Sequence, residues 1–95
     1  MLYQRRKTQQ MKTFEIYFSL HDHQYTAEVV PIQAKDHVQY TISPREEHML
    51  LKYKTQVVHQ FEGRVMEAAF PGATEEEKAY SAAVTRGLKN YLNRH

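Results

Sequence analysis

Six histidines in 95 residues are the chain's clearest chemical excess, and they raise the question of metal binding first. His21 and His23 flank Asp22, and on a continuing strand their imidazoles share one side while the carboxylate points away, at best orienting one ring. A catalytic zinc site needs three protein ligands and a structural one four, so the pair needs help from His37 or His59. His37 reaches the His21–His23 turn only if the strands of a meander differ in length. Solvated turn histidines are therefore the expectation and no metal is expected; were one bound, His21, His23 and His37 are the ligands to consider. His48 lies beside Glu46 and Glu47 and reads as solvent-facing, and His95 is terminal.

His59 has a different setting, between Val57 and Phe61 in an alternating run. If those two face the core, His59 does too, and a buried imidazole takes a backbone carbonyl or a Tyr oxygen as partner. This defines a candidate ligand site between helix and sheet, centred on His59 with Tyr40, Tyr53 and Tyr80. No other chemistry is set up. Ser19, Ser43 and Ser81 lack a nucleophile elbow, and Gly63, Gly72 and Gly87 are too far apart for a phosphate-binding loop. Glu75-Glu76-Glu77 has a sufficient explanation in helix capping. The chain reads as non-enzymatic, with no catalytic residue and no cofactor.

A sequence pI of about 8.9 suggests an anionic partner. The distribution removes most of that suggestion. Arg5, Arg6 and Lys7 lie in an acid-free stretch, and residues 11–95 carry 10 basic and 11 acidic side chains. Residues 1–11 thus form a polar basic tail, which is either an arm for nucleic acid or another anionic surface, or sequence upstream of a start at Met11. Three charges make a weak electrostatic site. The outer face expected for the first three strands offers one aromatic, two acids and no base, so nucleic acid is disfavoured there too.

Single-domain length frames these residues: 95 positions, of which Leu, Ile, Val and Phe supply 20. That is a thin core for a folded domain, without the high net charge of a disordered chain. Cysteine is absent, which excludes disulfides and thiolate chemistry. No apolar run approaches a membrane span, and the N-terminal charges lead into Thr-Gln-Gln rather than an apolar signal segment. A cytoplasmic location is the expectation.

Residues 12–95 are then one α+β domain. Phe14, Ile16, Phe18 and Leu20 alternate with Glu15, Tyr17 and Ser19, which spells a strand with one buried face. A second strand runs over 25–32, with Pro31 at its end or on an edge, and a third over 37–43 through Val38, Tyr40 and Ile42. Ser43-Pro44-Arg45-Glu46 reads as a capping box opening a short helix over 44–52 that offers Met49, Leu50 and Tyr53. A strand at 44–53 is the alternative. Residues 55–61 and 64–70 flank Glu62-Gly63 as a hairpin, Val57 with Phe61 on one face and Met66, Ala68 and Phe70 on another. Thr74-Glu75-Glu76-Glu77 caps a long amphipathic helix through Tyr80, Ala83, Val84, Leu88, Tyr91 and Leu92. Lys89 and Arg94 lie in its last turns, where positive charge is favoured, and Gly87 marks a close approach to the sheet.

The expectation is an antiparallel meander of about five strands with the C-terminal helix on one face, in the order βββ(α)ββα. In function it is a small protein-interaction module, working through sheet edges or its open face on a protein partner or on a second copy as a homodimer. A small-ligand-binding or weakly catalytic domain with its pocket at His59, and the basic tail, are the two alternatives.

Overall fold

The computed structural model describes residues 9–53, 55–66 and 74–94. Its elements are β1 (Gln9–Gln10), β2 (Phe14–Leu20), β3 (His23–Gln33), β4 (Val38–Pro44), α1 (Glu47–Tyr53), β5 (Gln56–Phe61), β6 (Arg64–Met66) and α2 (Glu75–Arg94). All strand pairings are antiparallel. β1 and β2 both pair with β3, and β4, β5 and β6 follow in order.

The first two strands are one edge interrupted by a bulge. Gln10 pairs with Ile32 and Phe14 with Val29, so Met11, Lys12 and Thr13 span only Val30 and Pro31. The result is a five-stranded meander in an α+β domain. Pro31 is buried in the interior of β3 rather than at its end or on an edge. Its missing N–H faces the bulge, where its carbonyl accepts the Met11 N–H at 2.9 Å, so the ladder loses little.

Two tight turns close hairpins. His21 and Asp22 join β2 to β3 with φ of 53° and 66°; Glu62 and Gly63 join β5 to β6 with φ of 51° and 80°. Positive φ at both central residues matches the right-handed twist of the flanking strands. The glycine adopts it freely, whereas His21 and Asp22 are strained.

Side-chain parity then builds the core: Ile16, Phe18 and Leu20 from β2, Ala27 and Val29 from β3, Tyr40 and Ile42 from β4, and Val58 from β5. Tyr80, Ala83, Val84 and Leu88 of α2 cover this face, and Met49 and Tyr53 of α1 close it. Thr74 and Glu77 form the expected capping box, Glu77 N–H donating to Thr74 Oγ1 at 3.1 Å and Thr74 N–H to Glu77 Oε1 at 2.8 Å.

Three local expectations are corrected. Ser43 and Pro44 belong to β4, not to a helix cap: Ser43 Oγ bonds Thr55 Oγ1, and the Arg45 N–H donates to the Thr26 carbonyl. The helix that follows has seven residues, so only Met49 and Tyr53, one turn apart, reach the core, and Leu50 is exposed. In β5 the inward residues are Gln56 and Val58, leaving Val57, His59 and Phe61 on the open face. Met66, opposite His59, shares that face, and Ala68 and Phe70 lie outside the described residues.

Candidate functional site

α2 runs antiparallel along β2. Its first turn lies by the His21 turn, and Tyr91 near its far end stacks on Phe14 with ring centroids 4.0 Å apart. At Gly87 the helix touches the strand. A β-carbon there would stand 2.5 Å from the Tyr17 carbonyl oxygen and 3.2 Å from Phe18 Cβ. Only glycine permits this approach, and the α-hydrogen in that direction points at the carbonyl. The helix therefore caps the β2 edge at this point, which blocks strand addition there.

Beside the contact line a groove of about 510 Å³ opens between helix and strand. One wall is the outer flank of α2, where Arg86, Asn90 and Arg94 recur at intervals of four and so stack along one face. The other is β2 with its neighbour, presenting Glu15, Tyr17, Ser19 and Gln24. Tyr17 is 59% exposed. The Glu15 carboxylate is engaged by Arg45, whose Nε donates to Oε2 at 2.7 Å. Among the described residues no carboxylate pairs with Arg86 or Arg94. Two uncompensated guanidiniums on the wall of a concave surface form an anion-attracting element, each able to take a carboxylate with two parallel hydrogen bonds.

The opposite end of α2 is a closed network. Glu76 Oε2 accepts from Lys52 Nζ at 2.8 Å and from the Tyr53 hydroxyl at 2.6 Å, with His21 Nε2 3.6 Å away. Lys52 and then Tyr53 hold the Glu76 carboxyl down at about 2. In return Glu76 raises Lys52. Burial, then Glu76, raises Tyr53. The network ties the first hairpin, α1 and α2 together.

The expected pocket is not assembled. Tyr53 and Tyr80 do meet, stacked at 4.2 Å and 4° on the core side. Tyr40 is also on that side, donating its hydroxyl to Gln60 Oε1 at 2.6 Å. Burial raises both the Tyr40 and Tyr80 phenols. His59 lies on the other face of the sheet, because the Tyr40–Val58 and Ile42–Gln56 pairings set the parity of β5. There it neighbours His37, with ring centroids 5.1 Å apart, and Phe61 stacks on His37 at 4.6 Å. His37 Nδ1 donates to Asp36 at 2.8 Å, which holds that carboxyl below its usual range.

His37 is also kept from His21 and His23. Those two sit at the start of β3 and His37 beyond its end, and 11 strand residues span about 33 Å. Among the described residues no group of three or more His, Cys, Asp or Glu is placed to hold a metal ion. Arg5, Arg6 and Lys7 lie outside the described residues. The residues that sequence reasoning missed are Arg86 and Asn90. Their signal was available: from Lys78 to the C-terminus there are four basic residues and no acid.

Comparison with protein-family models, with curated proteins and with solved structures found no match to this chain. No described helix is long and apolar enough to cross a membrane.

Proposed function

We propose that the chain is a small cytoplasmic protein-interaction module without catalytic activity, and that its binding element is the groove between β2 and α2. The observation that carries this reading is that Arg86 and Arg94 on the groove wall, beside an exposed Tyr17, make no ion pair among the described residues. Arginine and tyrosine are the residue types that dominate interface energetics. A cytoplasmic setting is consistent with a chain that has no cysteine and thus needs no oxidising compartment to fold.

The test is site-specific photo-cross-linking in the host cell, with the photoreactive residue at Asn90 and, as control, at Lys35 in the exposed turn before β4. The reading expects one protein captured from Asn90 and not from Lys35, and an isolated segment of it that shifts the groove amides in an NMR titration. Equal capture from both positions, or a captured segment that leaves the groove amides in place, would sink it.

A homodimer is the second reading, and a separate observation favours it. Val57, Phe61 and Met66 are exposed together on the open face around His37 and His59, and half-exposed apolar side chains gathered on one sheet face suit sheet-on-sheet packing. Sedimentation of Val57→Glu and Phe61→Glu tests it. A dimer that dissociates in both variants supports it, and a parent protein that is monomeric at high concentration rejects it.

A further inference from the structure

We infer that the occupant of the β2–α2 groove is an extended, acidic segment of a partner protein, with carboxylates four residues apart seated on Arg86 and Arg94. The inference rests on the interaction-module reading above and adds the chemistry of the partner.

Spacing carries it first. Arg86 and Arg94 are eight helical residues apart, about 12 Å along α2. In an extended chain, side chains at i and i+4 project to the same side and stand about 13 Å apart. Adjacent residues project to opposite sides, and i, i+2 pairs cover only about half the distance. The two guanidiniums therefore match one acidic repeat of an extended segment, each taking one carboxylate in a two-bond fork. They are too far apart to share a single small anion.

The neutral residues of the groove carry the second argument. Asn90 lies between the arginines on one wall and Gln24 on the other. A carboxamide both donates and accepts, which suits the unsatisfied N–H and C=O groups of an extended main chain. A helical segment keeps those groups to itself. Tyr17 lines the groove from the strand side and is exposed, with its ring on the sheet face away from α2, so a segment that passes over the β2 edge meets an aromatic surface there.

The number and spacing of cations decide against nucleic acid. The one carboxylate lining the groove, Glu15, is already engaged by Arg45. A nucleic-acid track needs a run of positive charge along the backbone, and this groove has two isolated cations.

The experiment uses the full chain, isotope-labelled, titrated with three synthetic peptides of one length in a Ser/Gly background. The first carries Glu at i and i+4, the second Glu at i and i+1, and the third Lys at i and i+4. An oligouridylate of similar length is the fourth probe. The expected result is that the first peptide shifts Tyr17, Ser19, Gln24 and Asn90 and binds about tenfold more tightly than its equally charged isomer. Arg86→Gln and Arg94→Gln should each erase that preference while leaving the spectrum folded. Equal affinity for the two acidic isomers, shifts outside the groove, or tighter binding of the oligouridylate would each overturn the inference. A cross-linked partner segment that seats in the groove and contains no acid would overturn the inference and leave the module reading standing. Absence of any groove shift together with absence of a groove cross-link removes both.

Discussion

Every charged side chain in the first turn of α2 is engaged: Glu75 with Lys78, Glu76 with Lys52 and Tyr53, and Glu77 with the Thr74 backbone. From Arg86 onward, Arg86, Lys89 and Arg94 have no ion-pair partner among the described residues. The helix dipole favours acids at the start and bases at the end, so it explains the signs at both ends. It does not explain why one end is cross-linked to two other elements, α1 and the first hairpin, while the other makes no ion pair among the described residues. The first end is tied into the fold, and the second carries cations that make no ion pair among the described residues. Gly87, next to Arg86, is pressed onto β2 and joins this second end to the strand.

The most damaging change is therefore expected at that joint. Gly87→Ala puts a methyl 2.5 Å from a backbone oxygen that cannot swing aside. Overpacking of this kind costs roughly 1–3 kcal/mol, against which alanine returns about 1 kcal/mol of helix propensity. A net loss of up to about 2 kcal/mol should appear as a lower urea midpoint at unchanged slope. Unchanged or increased stability would mean that the helix lifts freely from the strand, and this end of α2 would not be joined to it.

Glu76 comes next. Its carboxyl titrates at about 2 in the folded chain, against 4.5 for a free carboxyl. A lowered folded-state value means the stabilisation is fully present above about 4.5 and is lost as pH falls from there towards 2. Glu76→Gln should lower the thermal midpoint at neutral pH and flatten its decline across that acid window. Glu75→Gln, whose side chain is almost wholly exposed, is the control and should do neither. If the two variants behave alike, the Lys52–Tyr53–Glu76 network does not distinguish this end of the helix.

Some of this contrast can be read from residues alone and some cannot. The start of α2 is legible because Thr74 and Glu77 stand three apart, and the approach at Gly87 because an interior glycine on a buried helix face has little other use. β2 is legible because its alternation admits a single parity. β5 is not, because Val57 and Val58 are adjacent and either can lead inward; the choice is made by pairing with β4, which a local pattern does not contain. Ser43-Pro44 satisfies a capping pattern, yet the ladder with β3 outweighs it and holds both residues in β4. The groove is hidden for a related reason. Arg86, Asn90 and Arg94 are spaced as any solvated helix face is, and only the position of β2 alongside turns that face into a wall.

A smaller gain is expected at the turn beneath the cross-linked end. His21 and Asp22 occupy left-handed conformations that cost non-glycine residues about 1 kcal/mol each. Asp22→Gly removes one such cost but adds freedom to the unfolded chain. The balance is a stabilisation of about 0.5 kcal/mol, read as a raised urea midpoint. A loss instead would show that the Asp22 side chain does more for the turn than its strain costs.

The smallest effect on stability is expected at the open end, and it is the sharpest test of the contrast. Arg86 and Arg94 are exposed and make no ion pair among the described residues, so Arg86→Gln and Arg94→Gln should leave unfolding within about 0.5 kcal/mol of the parent. Glutamine keeps most of the stem, so packing along the helix is conserved and only the guanidinium is removed. Should either variant lose a kcal/mol or more, that arginine is already spent inside the fold, and the groove wall is structural like the opposite end. Should both be neutral in stability and yet lose acidic-peptide binding, the two ends of α2 are separated by function, the first holding the domain together and the second meeting its partner.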